Sequence, residues 1–340
     1  MGRQIDLLMP GLFWDTAIRQ LKDRTCRPTN LERVLGRAGL SSFSAIDLTE
    51  TLFQLFGIAA EEGRDLPAGA VTLQGGKLTL DENFWALATP VHMLADRDRL
   101  ILIRVASQSI QHEYAAHLIA QFNAHFKPDG LHLSQVTPSQ WCMKLSRMPD
   151  ISTSSVESVA GRDIEAYLPA GGEAAVWRKF LNEAQMLFFQ DEMSQLKMLS
   201  GEPYINAVWV SGIGSCPSAV VSDYAAVYGS HSLLTGFARL AEIPNYDLPE
   251  DLSETLHQDG DVAILITDLH EAELDADLFG WEEALTNIDA RLSRLFEMVD
   301  IGKDQVTLYN CQGQKYSVRK RNPFIDLFKR DKRLFQLKNE

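Results

Sequence analysis

Two hydrophobic rhythms share this chain: short apolar runs of strand length, and longer stretches in which apolar residues return every three or four positions. "QIDLLMPGLFW" (4–14) predicts a buried strand stopped by Pro-Gly, and "GDVAILITDL" (260–269) predicts the best-defined buried strand. "PTNLERVLGRAG" (28–39) and "DLTETLFQLFG" (47–57) predict short helices. Thr29 or Asn30 caps the first and Asp47 or Thr49 the second, and each has a glycine after its last turn. Longer helices are predicted over 110–126, 173–190, 230–244 and 281–299. "INAVWVSGIGSCP" (205–217) reads as a strand entering a Gly-rich turn, and "GAVTLQGGKLTL" (69–80) as a hairpin around Gly75-Gly76.

Strands and helices alternate, so the expected class is α/β, a doubly wound, mostly parallel sheet with helices on both faces. "DRLILIRV" (98–105), the helix at 110–126, "GLHLSQVTP" (130–138) and "QWCMKLS" (140–146) form a β-α-β-β run. It predicts a small α+β insertion over 96–151, with 1–95 and 152–312 as the core and 313–340 as a separate tail.

Composition sharpens this picture. A chain of 340 residues that is 45% hydrophobic can bury a large core. Cys26, Cys142, Cys216 and Cys311 lie far apart with no CxxC spacing, which argues against a zinc ribbon or disulfide framework and fits a reducing compartment. "MGRQIDLLMPGLFWDT" is too polar for a signal peptide, and no stretch has the roughly 18 apolar residues that span a bilayer. The expectation is a cytoplasmic protein without a transmembrane segment. The net charge of −14 disfavours nucleic acid. Residues 313–340, however, carry nine Lys or Arg against three acidic residues. Phe324, Leu327, Phe328, Leu334, Phe335 and Leu337 lie among these charges. Such a basic, amphipathic tail either packs on its own acidic body or lies on a membrane surface or acidic partner.

Familiar catalytic motifs are missing from the sequence. "WVSGIGSCP" falls short of GxGxxG, since Pro217 stands at the third glycine, and there is no P-loop, G-x-S-x-G elbow or HExxH. His112, His117 and His125 are spaced five and eight apart, a poor match to a helical metal pair. The stretch "LHEAELDADLFGWEEALTNID" (269–289) packs one His and many carboxylates between a predicted strand and helix, and reads as an acidic loop with metal-ligand chemistry.

"PTNLERVL…LFQLFGI", "TPVHMLADRDRLIL" (89–102), "VAGRDIEAYLP" (159–169), "WRKFLNEAQM" (177–186) and "NAVWVSGIG" (206–214) resemble, in order, motifs of the RpfE-type bacterial regulatory protein family. Departures are Thr89, where that family often has Asp, and "WVSGIGS", which lacks its second Trp and one Gly. The family in turn is similar to archaeal-type cofactor-independent phosphoglycerate mutases of the alkaline phosphatase superfold. The resemblance implies a doubly wound core, an inserted α+β domain, two metal ions and a Ser that takes the phosphoryl group. Carried over position by position, Pro10 stands where the mutases open with a metal-binding Asp, Leu48 at the nucleophile and Leu274 at a metal-binding His. His270 takes the place of an Asp, while Asp275 and Asp277 match, so the stretch 269–289 reads as a degenerate metal loop. Its His270, Asp275 and Asp277 are the expected ligands of one weak divalent cation, with no other cofactor and no catalytic residue.

The expected function is that of a non-catalytic regulatory or ligand-binding protein derived from such a metalloenzyme. Its pocket is expected at the C-terminal ends of the sheet strands, built from His92, Asn182, Glu183, Asn206, Trp209 and Gly212, with backbone N–H groups of a 211–215 turn able to receive a small anion. The partner is then an anionic ligand or another protein. Two alternatives stand beside this reading: a phosphoryl-transfer enzyme with a rebuilt metal site using Thr49 or Thr51, and an adaptor working through the basic tail.

Overall fold

The computed structural model describes residues 2–21, 27–76, 83–300, 303–318 and 333–338. Strand β1 (Gln4–Leu8) opens the chain, followed by helices α1 (Asp15–Leu21) and α2 (Thr29–Leu35), strand β2 (Gly39–Ser42) and helix α3 (Leu48–Leu55). The middle of the chain supplies α4 (Ala68–Gly75), β3 (Phe84–Asp96), β4 (Arg99–Arg104), α5 (His112–His125), β5 (His132–Thr137), β6 (Gln140–Leu145) and α6 (Val156–Val159). It continues through α7 (Ala174–Phe189), α8 (Glu192–Ser200) and β7 (Ala207–Gly214). Then come β8 (Tyr224–Tyr228), α9 (Ser232–Leu240), β9 (Asn245–Tyr246), β10 (Asp261–Leu265), α10 (Asp268–Leu274), α11 (Leu278–Met298), β11 (Gln305–Tyr309) and β12 (Gln314–Val318). A single turn of helix spans Leu334–Leu337.

These elements divide into two units, one made of residues 1–57 and 221–340, the other of residues 58–220. In the first, seven strands order as β2-β12-β11-β1-β10-β8-β9. The pairs β11–β1, β1–β10, β10–β8 and β8–β9 are parallel, while β12 runs antiparallel to both its neighbours. Side chains alternate across a strand. Ile5 and Leu7 therefore face one side, joining Ile264, Leu308, Leu31 and Leu292 in a core closed by α1, α2, α10 and α11. Asp6 faces the other side. There Tyr224 reaches it by hydrogen bond, and Tyr224 meets Phe56, which stacks on Phe237 of α9. Helices thus cover both faces of a mainly parallel sheet, the α/β class expected from the alternation.

The second unit holds an antiparallel sheet ordered β4-β3-β6-β5, with β7 paired to β3. The long β3 is its spine. Ala86, Ala88, Trp141, Met143, Val208 and Val210 meet α5 and α7 on one face, and Trp85 and Cys142 meet Ala70 and Leu73 of α4 on the other.

Several expectations are corrected here. The inserted unit runs from 58 to 220, wider than 96–151, because β3 and β7 pair with each other, Val91 opposite Ala207. The hairpin read at 69–80 is helix α4 as far as Gly75, and residues 77–80 lie outside the described residues. The tail does not begin at 313, since β12 is a strand of the large sheet. Leu334 and Leu337 are buried in the core of the first unit and Phe335 packs against it, while Phe324, Leu327 and Phe328 lie outside the described residues. No described helix is long and apolar enough to cross a membrane.

Candidate functional site

The acidic stretch 269–289 forms two helices rather than a loop. Strand β10 ends at Leu265 and α10 begins three residues later. Asp275 closes α10, Ala276 turns the chain with φ 54°, and Asp277 opens α11 by accepting the Gly280 N–H at 2.9 Å. His270 lies in the first turn of α10, its Nδ1 4.0 Å from Glu273 Oε2. The expected ligands His270, Asp275 and Asp277 are not brought together. Among the described residues no group of three or more His, Cys, Asp and Glu side chains is placed to hold a metal ion. Part of the physical reason is local: the Asp277 carboxylate is spent on the N-terminus of α11.

The neighbouring strand end is closed by packing. Gly11, at φ 78°, follows Pro10, and a side chain there would lie 2.6 Å from the backbone carbonyl of Leu269. Its own carbonyl accepts the Trp281 indole N–H at 2.8 Å. At the start of α3, Leu48 is buried, Asp47 caps the Glu50 N–H at 2.7 Å, and the Thr51 hydroxyl donates to the Asp47 carbonyl at 2.6 Å. The Thr51 hydroxyl, one of the two close in sequence to the expected nucleophile position, is therefore committed to its own backbone.

Asp6, in the middle of β1, is fully buried. Its carboxylate accepts the Tyr224 hydroxyl at 2.5 Å and the Gln4 amide at 3.0 and 3.1 Å. Burial raises its pKa to about 6, with these hydrogen bonds opposing the shift. Sequence reading missed this group because an acidic residue inside "QIDLLM" looks like a break in the strand.

All six residues expected to form a ligand pocket belong to the antiparallel second unit, not to the C-terminal ends of the parallel strands. Asn206 acts as a piece of β-ladder: its side chain accepts the Met93 N–H at 2.6 Å and donates to the Met93 carbonyl at 3.0 Å. Trp209 is buried with its indole N–H on the Ser154 carbonyl at 2.8 Å. Gly212, at φ 62°, lets α4 approach β7, since a Cβ there would come within 2.8 Å of Ala68 Cβ. The expected 211–215 turn is strand as far as Gly214, and the Ile213 N–H already donates to Asp65 at 3.2 Å. His92 packs edge-on to Tyr204, ring centres 4.5 Å apart, and burial lowers its pKa. Asn182 and Glu183 lie exposed on α7. The three histidines of the α5 region have separate partners: His112 meets Gln135, His117 meets Asp191 and His125 meets Glu183.

A cavity of about 320 Å³ does exist in this unit, and Glu183 is the only one of the six that lines it. Its floor is Phe126, Leu131, Leu145, Trp177 and Phe180, and its rim carries Asp129, Arg147, Lys179 and Glu183. The "WRKF" spacing on α7, which puts Trp177 and Phe180 on one helix face, was the sequence signal that could have revealed it.

The architecture thus defines an α/β protein with a parallel-sheet unit and an inserted antiparallel unit. Among solved structures, it is similar to the PH0037 protein from Pyrococcus horikoshii, 14% identical with a TM-score of 0.54 over 94% of this chain and 87% of that one. A cofactor-independent phosphoglycerate mutase from Thermoplasma acidophilum matches at 13% identity and a TM-score of 0.43, over 95% of this chain and 90% of the other. No protein-family model matches the sequence, and no curated protein does, so the RpfE-type resemblance rests on its motifs alone.

Proposed function

We propose that this chain is a non-catalytic, ligand-binding regulatory protein of the RpfE type, working in the cytoplasm, whose alkaline phosphatase-like core derives from a phosphoglycerate mutase-like metalloenzyme. The observation that carries this reading is what occupies the positions the resemblance marks for chemistry. Pro10 and Leu48 are buried apolar groups and Leu274 is half-buried at the end of α10. The one carboxylate pair that matches, Asp275 and Asp277, sits at helix termini, Asp277 bonded to the Gly280 N–H. Two-metal phosphoryl transfer needs ions about 4 Å apart clamped by convergent carboxylates and imidazoles. Leucine and proline side chains cannot serve as those ligands, nor leucine as the nucleophile.

The test is metal content of the purified protein, with Mn²⁺ and Zn²⁺ added back during thermal unfolding and 2- and 3-phosphoglycerate offered as substrates. A native-state ligand at about a hundredfold excess over its Kd adds about 2.7 kcal/mol. The expected result is substoichiometric metal, an unmoved Tm and no interconversion. Stoichiometric metal with a raised Tm and turnover of phosphoglycerate would overturn the proposal in favour of an active mutase.

A further inference from the structure

The cavity of the second unit has a chemistry that none of the residues considered so far explains. It lies between the turn that follows α5, the end of β6 with the loop after it, and the first turns of α7, with Phe126, Trp177 and Phe180 as its floor. Those rings are fixed by one another: Phe126 and Phe180 meet edge-on at 5.1 Å between ring centres, Trp177 and Phe180 at 5.4 Å. At about 320 Å³ the space sits at the small end of ligand pockets, which run from about 300 to 1,000 Å³, so it suits one ring with a short polar arm.

The rim decides the charge of that arm. Arg147 is spent on Glu173, bonding it through both guanidinium nitrogens, one at 2.8 Å, and this pairing holds the Glu173 carboxyl down to about 2. Glu183 is hydrogen-bonded to His125 Nε2 at 2.9 Å. That leaves Lys179 and Asp129, which form no ion pair with any described residue. One cation and one anion therefore stand open over an aromatic floor. An apolar ring lowers its free energy by leaving water, and each unpaired charge at the rim favours a ligand group of opposite sign.

We infer that this cavity binds a small zwitterion carrying an aromatic ring, of the aromatic α-amino-acid class, with the ring on Phe126, Trp177 and Phe180, the carboxylate at Lys179 and the ammonium at Asp129. The inference deepens the ligand-binding half of the proposed function. It does not depend on the metal question, which concerns residues of the other unit.

The experiment is calorimetric titration of the full-length protein with L-phenylalanine, L-tyrosine and L-tryptophan. Phenethylamine and 3-phenylpropionate, each lacking one charge, serve as paired probes. Saturable binding of at least one amino acid is expected, with both single-charge analogues weaker by about tenfold or more. Lys179→Met and Asp129→Asn change exposed side chains, so folding is kept; the first should weaken the zwitterion and 3-phenylpropionate but not phenethylamine, and the second the zwitterion and phenethylamine but not 3-phenylpropionate. No saturation up to about 10 mM would overturn the assignment, as would analogues that bind as tightly as the amino acids. Either failure would leave the outcome of the metal titration unchanged, so the two readings can fall separately.

Discussion

Asp6 shows how one residue in a parallel strand ties stability to pH. The carboxyl is buried on the central strand, and its pKa is raised from 3.8 to about 6 chiefly by burial. A raised pKa means the folded chain holds the proton more tightly than the unfolded one. The stabilising contribution is therefore fully present below about pH 4 and is lost as pH rises through about 6. The shift corresponds to about 3 kcal/mol at most, at about 1.4 kcal/mol per unit. Asp6→Asn keeps an acceptor for the Tyr224 hydroxyl and removes the charge. It should raise stability at pH 7 by about 2–3 kcal/mol and flatten the slope between pH 4 and 6, read from denaturant midpoints across that range. A variant less stable than the parent at pH 7 would show that the ionised carboxylate, not the neutral one, suits this site.

Among the elements, the corner between α10 and α11 separates a capping role from a metal-binding one. Asp277 accepts the Gly280 N–H and leads into a helix of 21 residues, so its loss should be felt as a lost N-cap. Asp277→Ala should cost about 1 kcal/mol, while Asp277→Ser or Asp277→Asn should cost little, because both can cap. A carboxylate ligand would tolerate neither Ser nor Asn so well, and a large loss with all three variants would contradict the capping role. The same corner reads two ways for a reason seen elsewhere in the chain. A His and several carboxylates signal metal chemistry in sequence, yet the same residues favour helix ends, and only the path of the chain chooses between the two. The buried polar residues follow the same rule: Asn206 looked like part of a pocket, but its amide completes the ladder beside Met93.

For the whole molecule, the two units predict separable folding. Gly57 and Val221, the residues flanking the inserted unit, already lie together in the first: a Cβ on Gly57 would sit 3.7 Å from the Val221 carbonyl oxygen. Replacing residues 58–220 with a short Gly/Ser linker should therefore leave a chain that unfolds cooperatively and keeps α/β circular dichroism, since every pairing of the seven-stranded sheet lies outside the excised segment. A molten or aggregated product would show that the first unit cannot fold on its own.

The sequence by itself determined the class and the elements with strong local rhythm. The strands at 4–8 and 261–265 and the helices at 48–55, 112–125, 174–189 and 278–298 follow from spacings within a dozen residues. It also carried the apolar residues Pro10, Leu48 and Leu274 at the positions the resemblance marks, on which the functional proposal stands. What only the tertiary structure decided was partnership. β3 went unread because its neighbour β7 lies more than a hundred residues away, and with it went the true limits of the inserted unit. β12 has no strand signal of its own, because its short, mixed sequence becomes a strand only beside β11 and β2. The cavity was only partly legible for the same reason: the "WRKF" spacing puts Trp177 and Phe180 on one helix face, but the rest of the floor, with Asp129 and Arg147 of the rim, comes from the turn after α5 and from the end of β6 with the loop that follows, and no local pattern brings those segments together.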